Sequence, residues 1–162
     1  MKEVEKEFND NNLLSITKYI VENYGIKLSV KLQKILYFLY LDYLKETNKR
    51  LFKEEFEAWV YGPVVPEVFY FIQGHGFDFS EYFDYETDKV VEIKSLQNPE
   101  LKEFIDNNIN KYQKYPTEKL VNFSHTTFPW INARKGLGYN EPSNEKIKFT
   151  DLKKLAKTWN FL

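Results

Sequence analysis

His75 and His125 are the only imidazoles in a chain of 162 residues that has no cysteine, so a zinc site would need both rings together with carboxylates. They stand 50 positions apart and no HExxH-type spacing surrounds either. Ser124 precedes His125 and has the residue types of a nucleophile and its base. Adjacent side chains rarely face one reacting atom, however, and neither a GxSxG elbow nor an orienting acid accompanies them. Gly74-His75-Gly76 lacks the length and the lysine of a phosphate loop, and Gly136-Leu137-Gly138 does not open a helix behind a buried strand. Both read as turns. The expectation is that no residue is catalytic, binds a cofactor or ligates a metal.

Two other constellations suit recognition. Trp59, Tyr61, Gly62, Pro63, Val64 and Pro66 place large rigid rings beside a preformed turn. Such rings either pack into the core around that turn or act as anchors for a protein partner, burying much area at small entropic cost. Strand alternation puts Trp59 and Tyr61 on the face opposite Ala58 and Val60. The second constellation is the stretch from Phe77 to Asp88, where Asp78, Glu81 and Asp84 interleave with aromatics. Its carboxylates either keep a loop solvated while the rings turn inward, or face a basic partner. Between Phe77 and Glu92 six acidic residues meet one lysine, a local charge of −5; between Lys146 and Lys157 five lysines meet one aspartate, a local charge of +4. The lysine cluster is expected to be a solvated helix face, and a net charge of −1 gives no bulk attraction to nucleic acid.

The elements that must position these residues are chiefly helical. Asn11 or Asn12 can cap a first helix carrying Leu13, Ile16, Ile20 and Val21 and ending before Gly25. Ser29 is the expected N-cap of a long helix to about Thr47, with Leu32, Ile35, Leu36, Leu39 and Tyr43 as one apolar stripe. Phe56, Ala58 and Val60 alternate with Glu57, Trp59 and Tyr61 as a strand that Gly62-Pro63 ends. Pro66 starts a helix with Val68, Phe69 and Ile72 that stops at Gly74. Phe77 to Tyr85 has no helical period, and Lys89 to Ile93 reads as a brief strand. Asn98-Pro99-Glu100 opens a helix carrying Leu101, Phe104, Ile105, Ile109 and Tyr112, broken by Pro116. Thr117 caps a short helix through Leu120, Val121 and His125, and Pro129 begins another, Trp130 to Lys135, ended by Gly136 and Gly138. Ile147-Lys148-Phe149 reads as a strand before a helix capped at Thr150-Asp151 that carries Leu152, Leu155, Ala156 and Trp159.

A hydrophobic fraction of 43% with 18% aromatics supports a folded globule. The expectation is a compact, mainly α, single-domain fold over residues 1–162, built around a long central helix with a short β element. The opening MKEVEKEFND is charged and has no apolar core of a signal peptide, and no apolar run reaches bilayer length. With no cysteine to form disulfides, a cytoplasmic location is expected.

Lys31-Leu32-Gln33-Lys34-Ile35-Leu36-Tyr37, then Glu57-Ala58-Trp59-Val60-Tyr61-Gly62-Pro63-Val64-Val65-Pro66, and later Leu120 to Arg134 with Ser124-His125 before Pro129-Trp130, follow one another in the chain. In order and spacing this pattern resembles the Panacea antitoxin domain, the SocA-like family that includes many phage-associated proteins, from about Leu28 to Gly138. Ser124 stands where that family often has threonine. The resemblance implies a structural signature at Lys31, Leu32, Leu36, Tyr37, Pro66, His125, Pro129, Trp130 and Arg134; the His125 ring is expected to hydrogen-bond a helix end or a backbone carbonyl there and so fix the following turn. It implies an antitoxin that neutralises a co-encoded protein toxin by direct binding, without cofactor, small-molecule substrate or membrane. Trp59, Tyr61, Gly62, Pro63, Val64, Asp78, Glu81 and Asp84 are the candidate contacts. A proteolytic adaptor that delivers a toxin to a protease, and a phage DNA-binding regulator, are the alternatives.

Overall fold

A computed structural model describes residues 11–161. The charged opening segment, with no signal-peptide core in its sequence, lies outside the described residues; Asn11 and Asn12, which follow it, lie within them. The fold is mainly α with two small antiparallel hairpins. In chain order the elements are α1 (Leu13–Tyr24), α2 (Ser29–Thr47), β1 (Glu57–Trp59), β2 (Gly62–Val64), α3 (Pro66–His75), β3 (Glu81–Asp84), β4 (Lys89–Glu92), α4 (Pro99–Asn108), α5 (Asn110–Gln113), α6 (Thr117–Ser124), α7 (Phe128–Ala133) and α8 (Phe149–Thr158). No helix among the described residues is long and apolar enough to cross a membrane.

The helix α2 is the axis of the molecule. It packs against α8, α6, β2, α4, α3 and α5, so it is surrounded rather than laid on a core. The expected stripe is therefore corrected: every residue from Leu32 to Asp42 is buried, including Gln33, Lys34 and Asp42, while Tyr43 is only half-buried. Its start is corrected as well, because Leu28 occupies the N-cap without a side-chain bond and Ser29 is the first helical residue.

Caps elsewhere follow the sequence closely. Asn12 accepts the Ser15 N–H at 3.1 Å to begin α1, and Gly25, at φ 62°, ends it in the left-handed conformation. Asn98 accepts the N–H groups of Glu100 and Leu101 ahead of α4. Pro66 opens α3, which continues through Gly74 to His75 and is closed by Gly76 instead. Pro116 and Lys148, not Thr117 and Thr150, hold the N-cap positions of α6 and α8, neither with a side-chain cap bond.

Two β assignments change. The run from Phe56 to Tyr61 is not one strand; β1 stops at Trp59, Val60-Tyr61 turns, and Gly62-Pro63-Val64 returns as β2 with Ala58 opposite Pro63. The acidic-aromatic stretch is half of a second hairpin, β3 paired with β4 from Glu81↔Glu92 to Asp84↔Lys89. Ile147 does not begin a strand of its own but edges β1: its N–H donates to the Phe56 carbonyl at 2.9 Å, beside a single Glu57↔Lys146 bridge.

The C-terminal end is tied to α2 through a buried carboxylate. Asp42 accepts from the Tyr112 hydroxyl at 2.5 Å and from Trp159 Nε1 at 3.0 Å, with the Lys111 ammonium 3.2 Å away. Burial pushes the Asp42 carboxyl up from its ordinary range, and these donors pull it back. Trp159 stacks on Phe38 at 5.5 Å, and Phe161 packs against Phe38, Tyr112 and Phe123.

Candidate functional site

The β1–β2 hairpin gathers nearly everything that the sequence singles out. Its two strands are three residues each, too short to be stable alone. What fixes them is a set of buried polar side chains aimed at their backbone. Gln33 on α2 forms a closed pair with Val65, its Nε2 donating to the Val65 carbonyl at 3.1 Å and its Oε1 accepting the Val65 N–H at 2.8 Å. One residue on, Lys34 donates from Nζ to the Pro63 carbonyl at 2.8 Å. From α7, Trp130 Nε1 donates to the Trp59 carbonyl at 2.9 Å. Arg134 donates to the Ala58 carbonyl at 2.8 Å and, through its other nitrogen, to the carbonyls of Gly138 and Glu141.

This arrangement explains why proline is tolerated inside β2. Ala58 turns its N–H to the Glu145 carbonyl and its C=O to Arg134, both away from β2. The Ala58–Pro63 position is thus the non-hydrogen-bonded pair of the ladder, where an N–H on Pro63 would have no use. Its carbonyl still needs a donor, and Lys34 supplies it.

Gly62 is required by space as well as by conformation. Its φ is 110°, and a Cβ there would lie 2.5 Å from Ser124 Oγ and 2.7 Å from Lys34 Cε. The hairpin, α2 and the end of α6 therefore meet at this one residue. Around it, Ser124 Oγ donates to the Val121 carbonyl of its own helix, so its hydroxyl serves the helix end and not a nucleophile–base pair. Thr127 Oγ1 donates to the Ser124 carbonyl at 2.7 Å, which leaves the Tyr37 hydroxyl to donate to Thr127 at 2.9 Å. Lys31 reaches the other way, to the Gln113 carbonyl closing α5.

The electrostatics are unusual for a lysine. Lys34 is fully buried and no carboxylate pairs with it among the described residues; burial alone brings its ammonium down to about 7. His125 lies near enough to feel it. Its ring is stacked on Trp130 at 4.2 Å with 14° between planes, and Arg134 stands over the indole at 5.4 Å. Burial first, then the positive fields of Lys34 and Arg134, hold the imidazole below its ordinary range, while the Val60 backbone pulls the other way. Its Nε2 is buried with no hydrogen-bond partner among the described residues. The ring therefore stacks on Trp130 and meets the Val60 backbone at the turn of the β1–β2 hairpin.

The candidate contact residues fall into three settings. Tyr61, at the tip of the hairpin, is 68% exposed. Trp59 is half-buried, donating to Glu57 at 2.9 Å and meeting the Phe69 ring edge-on at 4.9 Å, while Glu57 also meets Lys146 at 3.7 Å. Gly62 and Pro63 are buried and shape the turn, and Val64, also buried, lines the cleft below it. Beneath the tip lies a cleft of about 350 Å³ walled by Val30, Trp59, Tyr61, Phe69, Tyr70 and Pro142. Asp78, Glu81 and Asp84 sit on or beside the other hairpin, beyond α3, and no hydrogen bond, ion pair or ring contact links them to β1–β2 among the described residues. Asp78 accepts from the N–H and the hydroxyl of Ser80, which holds its carboxyl below the usual range, and Asp84 accepts the Glu86 N–H.

No group of three or more His, Cys, Asp or Glu residues that could hold a metal is present among the described residues. His75 is an exposed helix-end residue stacked on Phe71 at 4.4 Å. Sequence reasoning passes over Gln33 and Lys34 as functional positions. The available signal is two consecutive long polar residues inside an apolar helix, where Leu32, Ile35 and Leu36 already mark the face as core.

Comparison with curated proteins finds no match, and comparison with solved structures finds none either. A family model, the SocA-like antitoxin Panacea domain, matches residues 32–131. Those bounds begin at the α2 residues that grip the hairpin and end at α7, beside the residue whose indole grips it from the other side. The chain belongs to the SocA-like antitoxin family, as a Panacea domain.

Proposed function

We propose that this chain is the antitoxin of a toxin–antitoxin pair and neutralises a co-encoded protein toxin by binding it directly. Family membership supports the antitoxin role. The observation that carries the binding mode is the exposed Tyr61 tip over an aromatic cleft, held on a hairpin whose backbone is bonded from two helices. A large aromatic on a preorganised support loses little freedom on association, so its burial is retained as affinity. Gly62, Pro63 and Val64 act behind the contact by setting the tip's position. Inhibition then consists of covering a working face of the toxin, and calls for no chemistry by the antitoxin itself.

The test is co-expression with the product of the neighbouring open reading frame, scored for growth rescue and followed by titration of the two purified proteins. Rescue with a stoichiometric complex is expected. Failure of the wild type to bind or rescue against any adjacent product would overturn the reading. Rescue that needs a cellular protease would assign the chain to the adaptor class, and binding to DNA that falls steeply with salt would assign it to the regulators.

A further inference from the structure

The hairpin β3–β4 presents a face that the fold leaves uncovered. Side chains alternate along it, so Tyr82 and Val91, opposite one another and half-buried, turn toward the body of the protein. Phe83 and Val90 form the next pair and turn outward, 41% and 61% exposed, and Tyr85 extends the patch at 89% exposed, its ring edge-on to Phe83 at 4.9 Å. An aromatic and a β-branched residue paired on the solvent face are not needed to hold that face to anything in this chain. Contiguous exposed apolar surface of this kind marks an interaction site.

The charges beside it say what kind. On the same outward face Glu81 stands directly opposite Glu92, and like charges across a ladder repel. Among the described residues neither is in an ion pair, and the segment from Phe77 to Glu92 carries a local charge of −5. A neutral or acidic partner would worsen the repulsion, whereas cationic side chains reaching both carboxylates would relieve it.

We propose that the outward face of β3–β4 is a docking surface for a basic protein surface, whose lysine or arginine side chains meet Glu81 and Glu92 while an apolar side chain packs on Phe83 and Val90. This rests on the binding function proposed above and adds the chemistry of the partner's complementary face.

Two probes test it with the full chain: the purified product of the neighbouring open reading frame, and a synthetic peptide alternating arginine and leucine beside a glutamate–leucine control. Each is titrated against the wild type, the Glu81→Gln/Glu92→Gln variant and Phe83→Ala, with circular dichroism and melting temperature recorded for every variant. The charge variant is expected to bind about tenfold more weakly at low salt, mainly through slower association, and to lose most of the salt dependence. Phe83→Ala is expected to dissociate faster, with roughly a 30-fold loss of affinity at unchanged melting temperature. If the neighbouring product binds the wild type and these variants alike, the docking face is overturned while the antitoxin reading survives. Should that product fail to bind while the arginine peptide still separates wild type from variants, the face stands and the antitoxin reading falls. If neither probe binds, both fail. Sedimentation of the chain alone adds one more contradicting outcome, a dimer that Phe83→Ala dissociates, which would make the occupant a second copy.

Discussion

The two hairpins are built to the same plan and finished in opposite ways. In β1–β2 the outward-directed backbone groups of Ala58, Trp59, Pro63 and Val65 are met by Gln33, Lys34, Trp130, Arg134 and the Glu145 carbonyl. Only the tip residue Tyr61 is left to solvent. In β3–β4, among the described residues, the helices reach the backbone only just past β4, where Lys18 of α1 donates to the Ile93 carbonyl at 2.8 Å, while the apolar pair Phe83–Val90 faces water and two glutamates oppose each other. Buried polar groups are costly unless satisfied, so the first arrangement tolerates few substitutions. An exposed pair with one open side tolerates many. The contrast places the restricted positions in the clamped hairpin and the permissive ones in the acidic hairpin.

Substitutions that should separate the two regions most widely come first. Gly62→Ala meets both a positive φ and the overlap with the Ser124 and Lys34 side chains, and is expected to cost roughly 2–4 kcal/mol, seen as a lowered midpoint of the urea transition. The other hairpin has its own left-handed residue, Asp88 at φ 57°, and Asp88→Gly should leave stability unchanged within about 1 kcal/mol. Equal effects of the two would erase the distinction. Leu36→Ala, in the fully enclosed part of α2, is expected to cost roughly 2–5 kcal/mol by denaturant titration.

Lys34 sharpens the comparison through pH. In the folded chain its ammonium titrates at about 7, against 10.5 for an ordinary lysine. Between those values the unfolded state binds the additional proton, so this group makes stability rise with pH across the window. Below about 7 the folded chain carries the whole cost of burying the charge. Lys34→Met removes that dependence. Its stability relative to wild type should be greatest in mild acid and fall by a few kcal/mol on going to alkaline pH, the slope approaching about 1.4 kcal/mol for each pH step of one inside the window. Denaturant titrations of both proteins over that range test it, and parallel curves would contradict it. The smallest effect is expected for Phe83→Ala, whose stability should stay within about 0.5 kcal/mol of wild type because the ring is not part of the core.

Much of this is legible in the residues. Asn12, Asn98 and Pro66 mark helix starts by local chemistry alone, and Gly25 marks an end. Sequence and structure part where a distant partner decides. Gly62-Pro63 looks like a strand terminator until Lys34 and Ala58 show why a proline can sit in that ladder. The α2 stripe widens to full burial because six elements pack around the helix, and no window of sequence carries that number. Ser29 reads as a cap by type, yet the chain enters α2 one residue earlier at Leu28. Trp59 and Tyr61 read as a pair on one face, but the turn at Val60-Tyr61 separates a half-buried Trp59 from an exposed Tyr61. Composition does not place the acidic stretch beyond α3, since its aromatics and carboxylates suit a solvated loop equally well.

The claim that the clamped hairpin exists to present Tyr61 is tested most directly by measuring the affinity of Tyr61→Ala for the neighbouring gene product together with its melting temperature. The expected result is a roughly 30-fold or greater loss of affinity, about 2 kcal/mol, with the melting temperature of the wild type. Affinity that is unchanged, or that falls only as far as stability does, would contradict it and remove the β1–β2 tip from the interface.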